Sequence, residues 1–363
     1  MNYKITDIVC ILQAKCDIVH ECTVSDLLTD SRSLTFPEKT LFFALVTKRN
    51  DAHRYIGDLY RKGVRNFVVS SLPEDRKQMA DANFLLVKDT LSALQSLAAA
   101  HRKRFKIPVI GVAGSNGKTV VKEWLYQLLH EDYNMVRSPR SYNSQIGVPL
   151  SVWEIDENTE LAVIEAGISK PGEMDKLEAI IKPTFGILTY LGDAHQEGFS
   201  SMQEKCIEKL SLFTHSESVI YDGDDPLIVD SAEKMCMGTR EIAWSRKDKD
   251  RALYISKIVK GEDSTRIDYD YLRFSSSFTI PFVEDASIED AIHCLAVMLY
   301  LGKTGEEIAA RMCKLEPVAM RMEVKEGRNG CLIINDSYNS DINSLDTVSY
   351  THLRAHETAA ISY

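Results

Sequence analysis

The feature that most constrains the fold is a strand, a loop and a helix that follow one another in the middle of the chain. Residues 107–113 (IPVIGVA) form a nearly unbroken apolar run, as a strand buried on both faces of a sheet requires. The glycine-rich hexapeptide 114–119 (GSNGKT) follows directly, and residues 119–131 then place their apolar side chains on one helical face. This order predicts an α/β fold with a mainly parallel sheet.

The same alternation of strand and helix extends over most of the chain. We predict strands at 41–46, 66–70, 84–87, 161–166, 184–190, 218–222 and 331–335, and a β-rich segment at 251–282. We predict helices at 52–62, 73–82, 90–105, 119–131, 287–301 and 304–314. The pattern indicates a small N-terminal α/β domain (1–104), a central doubly wound, mainly parallel domain (105–315) and only the start of a third, Rossmann-like domain (316–347).

Composition and charge exclude several classes of protein. The formal net charge of −10, from 43 Lys and Arg against 53 Asp and Glu, disfavours a nonspecific nucleic-acid binder. We therefore interpret the basic run at 101–104 as a solvated helix end, with a nucleic-acid patch as the alternative. No apolar stretch is long enough to span a membrane, and Met1 to Cys10 lack the pattern of a secretory signal. No two of the eight cysteines have C-x-x-C spacing, and without a secretory signal we expect reduced thiols. We also expect a cytoplasmic location and a monomer.

The hexapeptide after the first central strand predicts a nucleotide site. Glycines let backbone N–H groups crowd around phosphate oxygens, and the helix N-terminus adds partial positive charge. Lysine in such a loop neutralises the β- and γ-phosphates, and the hydroxyl after it holds Mg²⁺. Val112 stands where the full phosphate-loop pattern has glycine, so a plain glycine-rich turn is the alternative. The predicted ATP-binding residues are Gly114, Ser115, Asn116, Gly117, Lys118 and Thr119.

Several further segments match one known family in order and spacing. They are 30–32 (DSR), 41–45 (LFFAL), 51–53 (DAH), 142–149 (YNSQIGVP), 163–167 (VIEAG), 194–199 (AHQEGF) and 336–339 (DSYN). With the loop GSNGKT, this set resembles the Mur ligases, the ATP-dependent amide-forming enzymes of peptidoglycan precursor synthesis. The likeness covers about residues 25 to 346. Within the family it is greatest to the ligases that add D-alanyl-D-alanine, and such ligases also occur fused ahead of an alanine racemase.

The resemblance implies a reaction, its cofactors and its substrates. ATP and Mg²⁺ would activate the carboxylate of UDP-N-acetylmuramoyl-tripeptide as an acyl phosphate, and the amine of D-Ala-D-Ala would then displace phosphate. One alternative is a sister enzyme that lengthens folate glutamate tails with a similar ATP domain. Another is a nucleotide-binding chain without turnover, which we consider because the domain expected to bind D-Ala-D-Ala is almost wholly missing from the sequence.

Three residues follow predicted strands or lie on the next helix and would serve the reaction. Glu165 ends a predicted strand, the edge where open α/β sheets bind ligands, and the resemblance makes it a Mg²⁺ ligand together with Thr119. The resemblance makes His195 a second metal ligand and Lys209 a carbamoylated lysine, with Lys205 as the alternative for that role. The plain alternatives are a surface glutamate, a structural histidine and a solvated helix face over 204–209.

The resemblance also assigns contacts to ATP and to the UDP substrate. It places Arg321, Asp336 and Asn339 on the nucleotide, whereas Ser287 and Asp290 stand where the family has adenine-contacting asparagines. The residues implied to bind the UDP substrate are Ser31, Arg32, Asp51, His53, Asn143 and Gln145. For Ser31 and Arg32 the alternative is an ordinary polar turn.

The last sixteen residues form a separate segment. From about Val348 the sequence no longer follows the family, and we interpret 348–363 as a non-native tail. His352 and His356 are four residues apart, but the H-E-x-x-H order of a zinc site is absent. We expect the chain as given to bind ATP with Mg²⁺ and the UDP substrate, and to ligate poorly or not at all.

Overall fold

The computed structural model describes residues 2–48, 50–192, 198–236, 238–272 and 274–319, and the backbone of 323–326 and 332–335. The strands are β1 Tyr3–Lys4, β2 Thr23–Val24, β3 Asp26–Leu28, β4 Thr40–Phe43, β5 Asn66–Val69, β6 Asn83–Leu86, β7 Val109–Ala113, β8 Met135–Arg137, β9 Leu161–Glu165, β10 Phe185–Leu188, β11 Ser218–Asp222, β12 Arg240–Ser245, β13 Leu253–Lys260, β14 Thr265–Tyr271, β15 Phe274–Ile280, β16 Glu323–Glu326 and β17 Leu332–Asn335. The helices are α1 Ile5–Leu12, α2 Ile56–Arg61, α3 Thr90–Arg102, α4 Lys118–Leu129, α5 Gly147–Trp153, α6 Met174–Ile181, α7 Met202–Leu210, α8 Pro226–Met235, α9 Asp285–Tyr300 and α10 Gly305–Met312.

The first part of the chain builds a four-stranded parallel sheet in the order β3-β4-β5-β6. Every residue of β4 and β5 is buried, which is why these segments read as continuous apolar runs. The strands predicted here are confirmed within a few residues. The helix predicted over 73–82 is wrong: that segment contains only a 3₁₀ turn at Arg76–Gln78, because its apolar residues are too few to form a buried face.

A nine-stranded sheet forms the centre of the molecule, in the order β15-β14-β13-β12-β11-β10-β7-β9-β8. All pairs from β8 to β13 are parallel, and only β13, β14 and β15 pair antiparallel. The predicted mainly parallel α/β sheet is therefore confirmed. Since the strands run the same way, the carboxyl ends of β7, β9 and β10 meet at one edge, where such sheets bind ligands.

Helices cover both faces of this sheet. On one face α4 and α9 contribute apolar residues such as Trp124 and Leu295 to a cluster with the strands. On the other face α5, α6, α7 and α8 contribute residues such as Val152, Leu177 and Leu210. The predicted helices 287–301 and 304–314 correspond to α9 and α10. Both faces being covered is the doubly wound arrangement that the sequence predicts.

The end of α3 contradicts one expectation. His101 and Arg102 are buried rather than solvated, and only Lys103 and Arg104 of the basic run are exposed. The Arg102 guanidinium donates to the carbonyls of Ile181 at 2.9 Å and Phe105 at 2.7 Å, so it caps backbone groups at a helix end. Sequence pattern alone misses this because arginine is usually exposed.

Contacts around α3 and α5 join the first part of the chain to the central sheet. The Trp153 indole lies on the Tyr3 ring, with 5.0 Å between ring centres, and donates to the Ser25 carbonyl at 2.8 Å. His101 lies between the Tyr3 hydroxyl, at 2.7 Å, and the Ile155 carbonyl, at 2.8 Å. Burial lowers the pKa of His101 to about 4. The two parts therefore share a packed aromatic contact.

Two sequence-wide expectations concern cysteines and membrane spans. Each cysteine within the described ranges is a free thiol, in agreement with the predicted reduced state. None of the helices described has the length and apolar composition needed to cross a bilayer.

Candidate nucleotide and metal site

The loop between β7 and α4 is formed as the sequence predicts, and two of its glycines are required by geometry. Gly117 has φ +84° and precedes α4, and a Cβ placed on it would lie 2.2 Å from Asp290 Oδ1. Gly114 has φ +151°, and a Cβ there would lie 1.9 Å from Thr189 Oγ1. Only glycine fits at both positions without displacing a neighbour. The glycines thus allow close approach of neighbouring side chains and expose the helix N-terminus to an anion.

The loop is tied to the segment that follows β10. The Ser115 backbone N–H donates to the Tyr190 carbonyl at 2.8 Å, and the Ser115 hydroxyl donates to the Gly192 carbonyl at 3.0 Å. The Thr189 hydroxyl donates to the Asn116 carbonyl at 2.6 Å. Thr189 is not among the predicted site residues; its position one residue after a strand that pairs with β7 was the available signal. These bonds fix the loop before any ligand binds.

Three lysines lie at this loop or at the segment bonded to it. Lys118 Nζ donates to the carbonyls of Gly114 at 2.9 Å and Ser115 at 2.7 Å, and Lys209 Nζ donates to the same Gly114 carbonyl at 2.9 Å. Lys205 Nζ contacts the Gly192 carbonyl. Lys205 and Lys209 are both buried, so the alternative of a solvated helix face is wrong for these two residues.

The buried ammonium group of Lys209 is electrostatically disfavoured. Burial, with the positive charges of Lys118 and Lys205 adding to it, lowers the pKa of Lys209 well below its ordinary value. A lowered pKa favours the neutral amine, which is the form that reacts as a nucleophile. The environment therefore suits the chemistry that the resemblance assigns to this lysine.

Glu165 lies at the carboxyl end of β9 with only 1% of its surface exposed, so the alternative of a surface glutamate is wrong. Thr119 Oγ1 donates to its Oε2 at 2.9 Å, and Asn143 Nδ2 donates to its Oε1 at 2.7 Å. Ser141 Oγ lies 3.1 Å from Thr119 Oγ1. The structure thus brings Thr119, Glu165 and Asn143 together, and adds Ser141, which is not among the predicted site residues.

This cluster of oxygen atoms fits a hard cation. Within the described ranges, Thr119 and Asn143 donate to the buried Glu165 carboxylate as neutral groups, and a buried charge ordinarily requires a counter-charge. No set of three His, Cys, Asp or Glu side chains in the described part of the chain could hold a metal ion by itself. Mg²⁺ is usually held by one or two carboxylates together with substrate phosphates, so Glu165 and Thr119 beside the loop suit it.

Gln145 does not join this cluster. Its side-chain Nε2 donates to the Glu173 carbonyl at 3.0 Å, and its Oε1 accepts from Gln95 Nε2 at 2.9 Å. These bonds join the segment before α5 to α3 and to the start of α6. Gln145 and Asn143 are only two residues apart, yet they face different neighbours.

The residues implied to bind the UDP substrate in the first part of the chain are engaged in local bonds. Arg32 pairs with Asp30, with 2.9 Å from Nε to Oδ1 and 2.6 Å from Nη2 to Oδ2, and its side chain is 87% exposed. Ser31 and Arg32 lie in a 3₁₀ turn capped by Asp30, so the polar turn suggested as an alternative is present. The Arg32 guanidinium lowers the pKa of Asp30 to about 2.

His53 is held by both ring nitrogens. Its Nδ1 lies 2.6 Å from Asp51 Oδ1, and its Nε2 accepts the backbone N–H of Ser70 at 3.0 Å. A nitrogen that accepts from an amide carries no proton, so Nδ1 carries the proton and donates to Asp51. In this arrangement His53 orders the turn after β5, and neither ring nitrogen is left for a direct contact.

Four predicted site residues lie outside the described residues: His195, Arg321, Asp336 and Asn339. Ser287 and Asp290 stand where the family has adenine-contacting asparagines. Of these two residues, Asp290 is buried with its carboxylate beside Gly117. Asp290 thus departs from the family pattern and lies against the loop.

Comparisons with known proteins identify the family. Residues 112–298 match the Mur ligase middle domain. The chain is 30% identical over 331 residues to the UDP-N-acetylmuramoyl-tripeptide–D-alanyl-D-alanine ligase of Bacillus subtilis (strain 168), and the match covers 90% of this chain and 69% of that ligase.

Solved structures agree with that assignment at the level of the fold. MurF from Acinetobacter baumannii superposes with a TM-score of 0.87 at 22% identity, covering 98% of this chain and 77% of that one. MurF from Thermotoga maritima in complex with ADP gives 0.77 at 24% identity, covering 93% and 76%. With the sequence match to the middle domain, these findings show that the chain belongs to the Mur ligase family, in the group of UDP-N-acetylmuramoyl-tripeptide–D-alanyl-D-alanine ligases.

Proposed function

We propose that this protein is an ATP-dependent ligase that joins D-alanyl-D-alanine to UDP-N-acetylmuramoyl-tripeptide. One observation carries the proposal. At one edge of the sheet, the glycine-rich loop bearing Lys118 lies beside the hydrogen-bonded oxygens of Thr119 and the buried Glu165. The Bacillus subtilis relative is named for this reaction, and the Thermotoga maritima relative was solved with ADP.

The loop would bind the triphosphate through its backbone N–H groups and the N-terminus of α4. Lys118, whose Nζ lies on the Gly114 and Ser115 carbonyls, would turn toward the β- and γ-phosphates. Thr119 and Glu165 would hold Mg²⁺, which when bound neutralises charge on the phosphates. A carboxylate oxygen of the tripeptide then attacks the γ-phosphorus, and ADP leaves.

The second step uses the acyl phosphate formed on the tripeptide. The free amine of D-Ala-D-Ala attacks the acyl carbon, phosphate leaves, and the amine loses a proton. We propose that Lys209, neutral because of its burial beside Lys118 and Lys205, reacts with CO₂ to give a carbamate and a proton. His195 as a metal ligand, and Arg321, Asp336 and Asn339 on the nucleotide, stay predictions.

The contacts to the UDP substrate are proposed from two places in the structure. Asn143 lies against Glu165 and would face the sugar or peptide. Arg32, exposed and paired only with Asp30 among the contacts described, would meet the diphosphate in a bidentate manner. Ser31, Asp51, His53 and Gln145 would support these contacts by ordering the turns on which they lie. The domain bounds, the monomeric state and the cytoplasmic location also stay predictions.

The decisive measurement is product formation. Purified protein is mixed with ATP, Mg²⁺, UDP-N-acetylmuramoyl-tripeptide and D-Ala-D-Ala, and mass spectrometry follows the UDP-linked pentapeptide. From the chain as given we expect the product at a low rate at most, and we expect any ADP release to require both substrates. Glutamate addition to a folate instead of this product would support the sister-enzyme alternative. ATP binding without either product would support the alternative of a nucleotide-binding chain without turnover.

A further inference from the structure

Lys122 is a buried lysine that the reaction described above does not use. It lies one turn into α4 with no exposed surface. Its Nζ donates to the Ser138 carbonyl at 2.8 Å and to the Arg140 carbonyl, and it pairs with Glu123 Oε1 at 2.9 Å. An ammonium group has three N–H donors, so all three are used. The helix that starts at the phosphate loop is thereby bonded to the segment after β8.

The segment that Lys122 holds has an unfavourable backbone conformation. Arg140 has φ +50°, in the left-handed region, although its side chain is exposed. For a residue other than glycine this conformation is sterically disfavoured, because Cβ lies too close to the following carbonyl oxygen. Such a conformation persists only where the surroundings stabilise it. The contact from Lys122 Nζ to the Arg140 carbonyl supplies that stabilisation at the strained residue itself.

The same segment delivers the side chains that surround Glu165. Ser138 Oγ accepts the Glu165 backbone N–H at 3.1 Å. Ser141 Oγ lies 3.1 Å from Thr119 Oγ1, and Asn143 Nδ2 donates to Glu165 Oε1 at 2.7 Å. The direction of the Glu165 carboxylate therefore depends on the path of residues 138–143. Lys122 holds that path through its bonds to the Ser138 and Arg140 carbonyls.

We propose that Lys122 is a positioning residue for the metal and phosphate site. By bonding the Ser138 and Arg140 carbonyls, it fixes the turn that aims Asn143 and Ser141 at Glu165 and Thr119. The inference rests on the proposed function only in so far as Glu165 and Thr119 hold Mg²⁺ beside ATP. Removal of a group that orients a metal ligand commonly lowers the metal affinity by about 10–100-fold.

The test compares ATP affinity with and without Mg²⁺ in the whole chain, by calorimetric titration with a non-hydrolysable ATP analogue. Lys122→Met keeps the volume of the side chain and removes its three donors. We expect the gain in affinity that Mg²⁺ confers to fall about tenfold in this variant. We expect the affinity measured without Mg²⁺ to stay within about twofold of the wild type, since the loop and Lys118 are untouched.

A second pair of variants acts at the exposed end of the same contact and spares the core. Arg140→Val places a β-branched residue in the left-handed region and should weaken the Mg²⁺ response in the same way. Arg140→Gly is its matched control, because it removes the same side chain but relieves the strain, and should keep the wild-type response. Equal responses in the valine and glycine variants would overturn the inference, even if Lys122→Met failed to fold.

The outcomes separate this inference from the proposed function. A full Mg²⁺ response in folded Lys122→Met overturns the positioning role and leaves the ligase proposal standing. A wild-type protein whose ATP affinity does not respond to Mg²⁺ overturns the metal site and this role with it. A reduced response in Lys122→Met and Arg140→Val, with a normal one in Arg140→Gly, supports the role.

Discussion

At the scale of single residues, the site is distinguished by lysine side chains in places where water is scarce. Lys122, Lys205 and Lys209 are all buried, and the Nζ atom of each contacts at least one backbone carbonyl. Burying a charged amine is costly unless it is hydrogen-bonded. Buried lysines near the phosphate loop are expected, because anionic charge must be bound and stabilised there.

Lys118 provides the most direct test of the loop. Lys118→Ala removes the cation expected on the β- and γ-phosphates, and charged hydrogen bonds of this kind contribute about 1.5–3 kcal/mol each. We expect ATP affinity to fall at least about 100-fold, below detection in a calorimetric titration. Lys103→Ala, at the exposed end of α3, is the control and should bind ATP normally. Unchanged affinity in Lys118→Ala would remove the basis for the nucleotide site.

At the scale of elements, the unit of function is β7, its loop and α4. The neighbouring strands supply Glu165 and Thr189 because their carboxyl ends lie at the same edge, and α9 supplies Asp290 from above the loop. No single element contains the site. It forms where three parallel strands end beside the start of one helix.

Gly117→Ala tests whether the loop needs its close contact with α9. The added methyl group would lie 2.2 Å from Asp290 Oδ1 at a residue with φ +84°. Gly172→Ala is a matched control, since Gly172 has φ +75° with no atom within 4 Å of the added Cβ. Both variants carry a left-handed penalty of about 1–2 kcal/mol. We expect only Gly117→Ala to lose ATP affinity, by about tenfold or more, and equal affinities in the two variants would contradict this view.

At the scale of the whole molecule, two buried histidines connect stability to pH. Burial lowers the pKa of His101 to about 4 and that of His293 to about 3, from an ordinary 6.5. Below pH 6.5 the unfolded chain therefore binds more protons than the folded one, and the free energy of unfolding decreases as the pH falls. Well above pH 6.5 both histidines are neutral in the folded and in the unfolded chain, so their protonation no longer changes the free energy of unfolding.

His293→Gln isolates one of these contributions. The amide oxygen can still accept from the Trp244 indole, which lies 3.4 Å from His293 Nδ1, but the side chain no longer titrates. Between pH 6.5 and 5.0 one such histidine lowers the free energy of unfolding by about 1.6 kcal/mol. Urea unfolding at the two pH values should show a loss in the variant that is smaller by about this amount. The same loss in both proteins would contradict the assignment of His293 as neutral.

The local sequence pattern predicted the features that depend on a single helix or strand. The apolar run before Gly114 predicted β7, and the spacing of apolar residues predicted α4, α9 and α10. A helix that buries one face repeats its apolar residues at the helical period, so it can be recognised in the sequence. The helix over 73–82 was wrong because charged residues there leave no face to bury. The short strands β1 and β2 and the helix α1 were not predicted at all.

The sequence by itself determined the α/β class, the phosphate loop and its lysine, because strand, loop and helix are contiguous and their residues leave few other conformations. Only the tertiary structure decided that Arg102, Lys122, Lys205 and Lys209 are buried, that Asn143 reaches Glu165, and that Asp290 touches Gly117. Those facts depend on which surfaces meet across distant parts of the chain, and a charged side chain looks the same in a sequence whether it faces water or carbonyls.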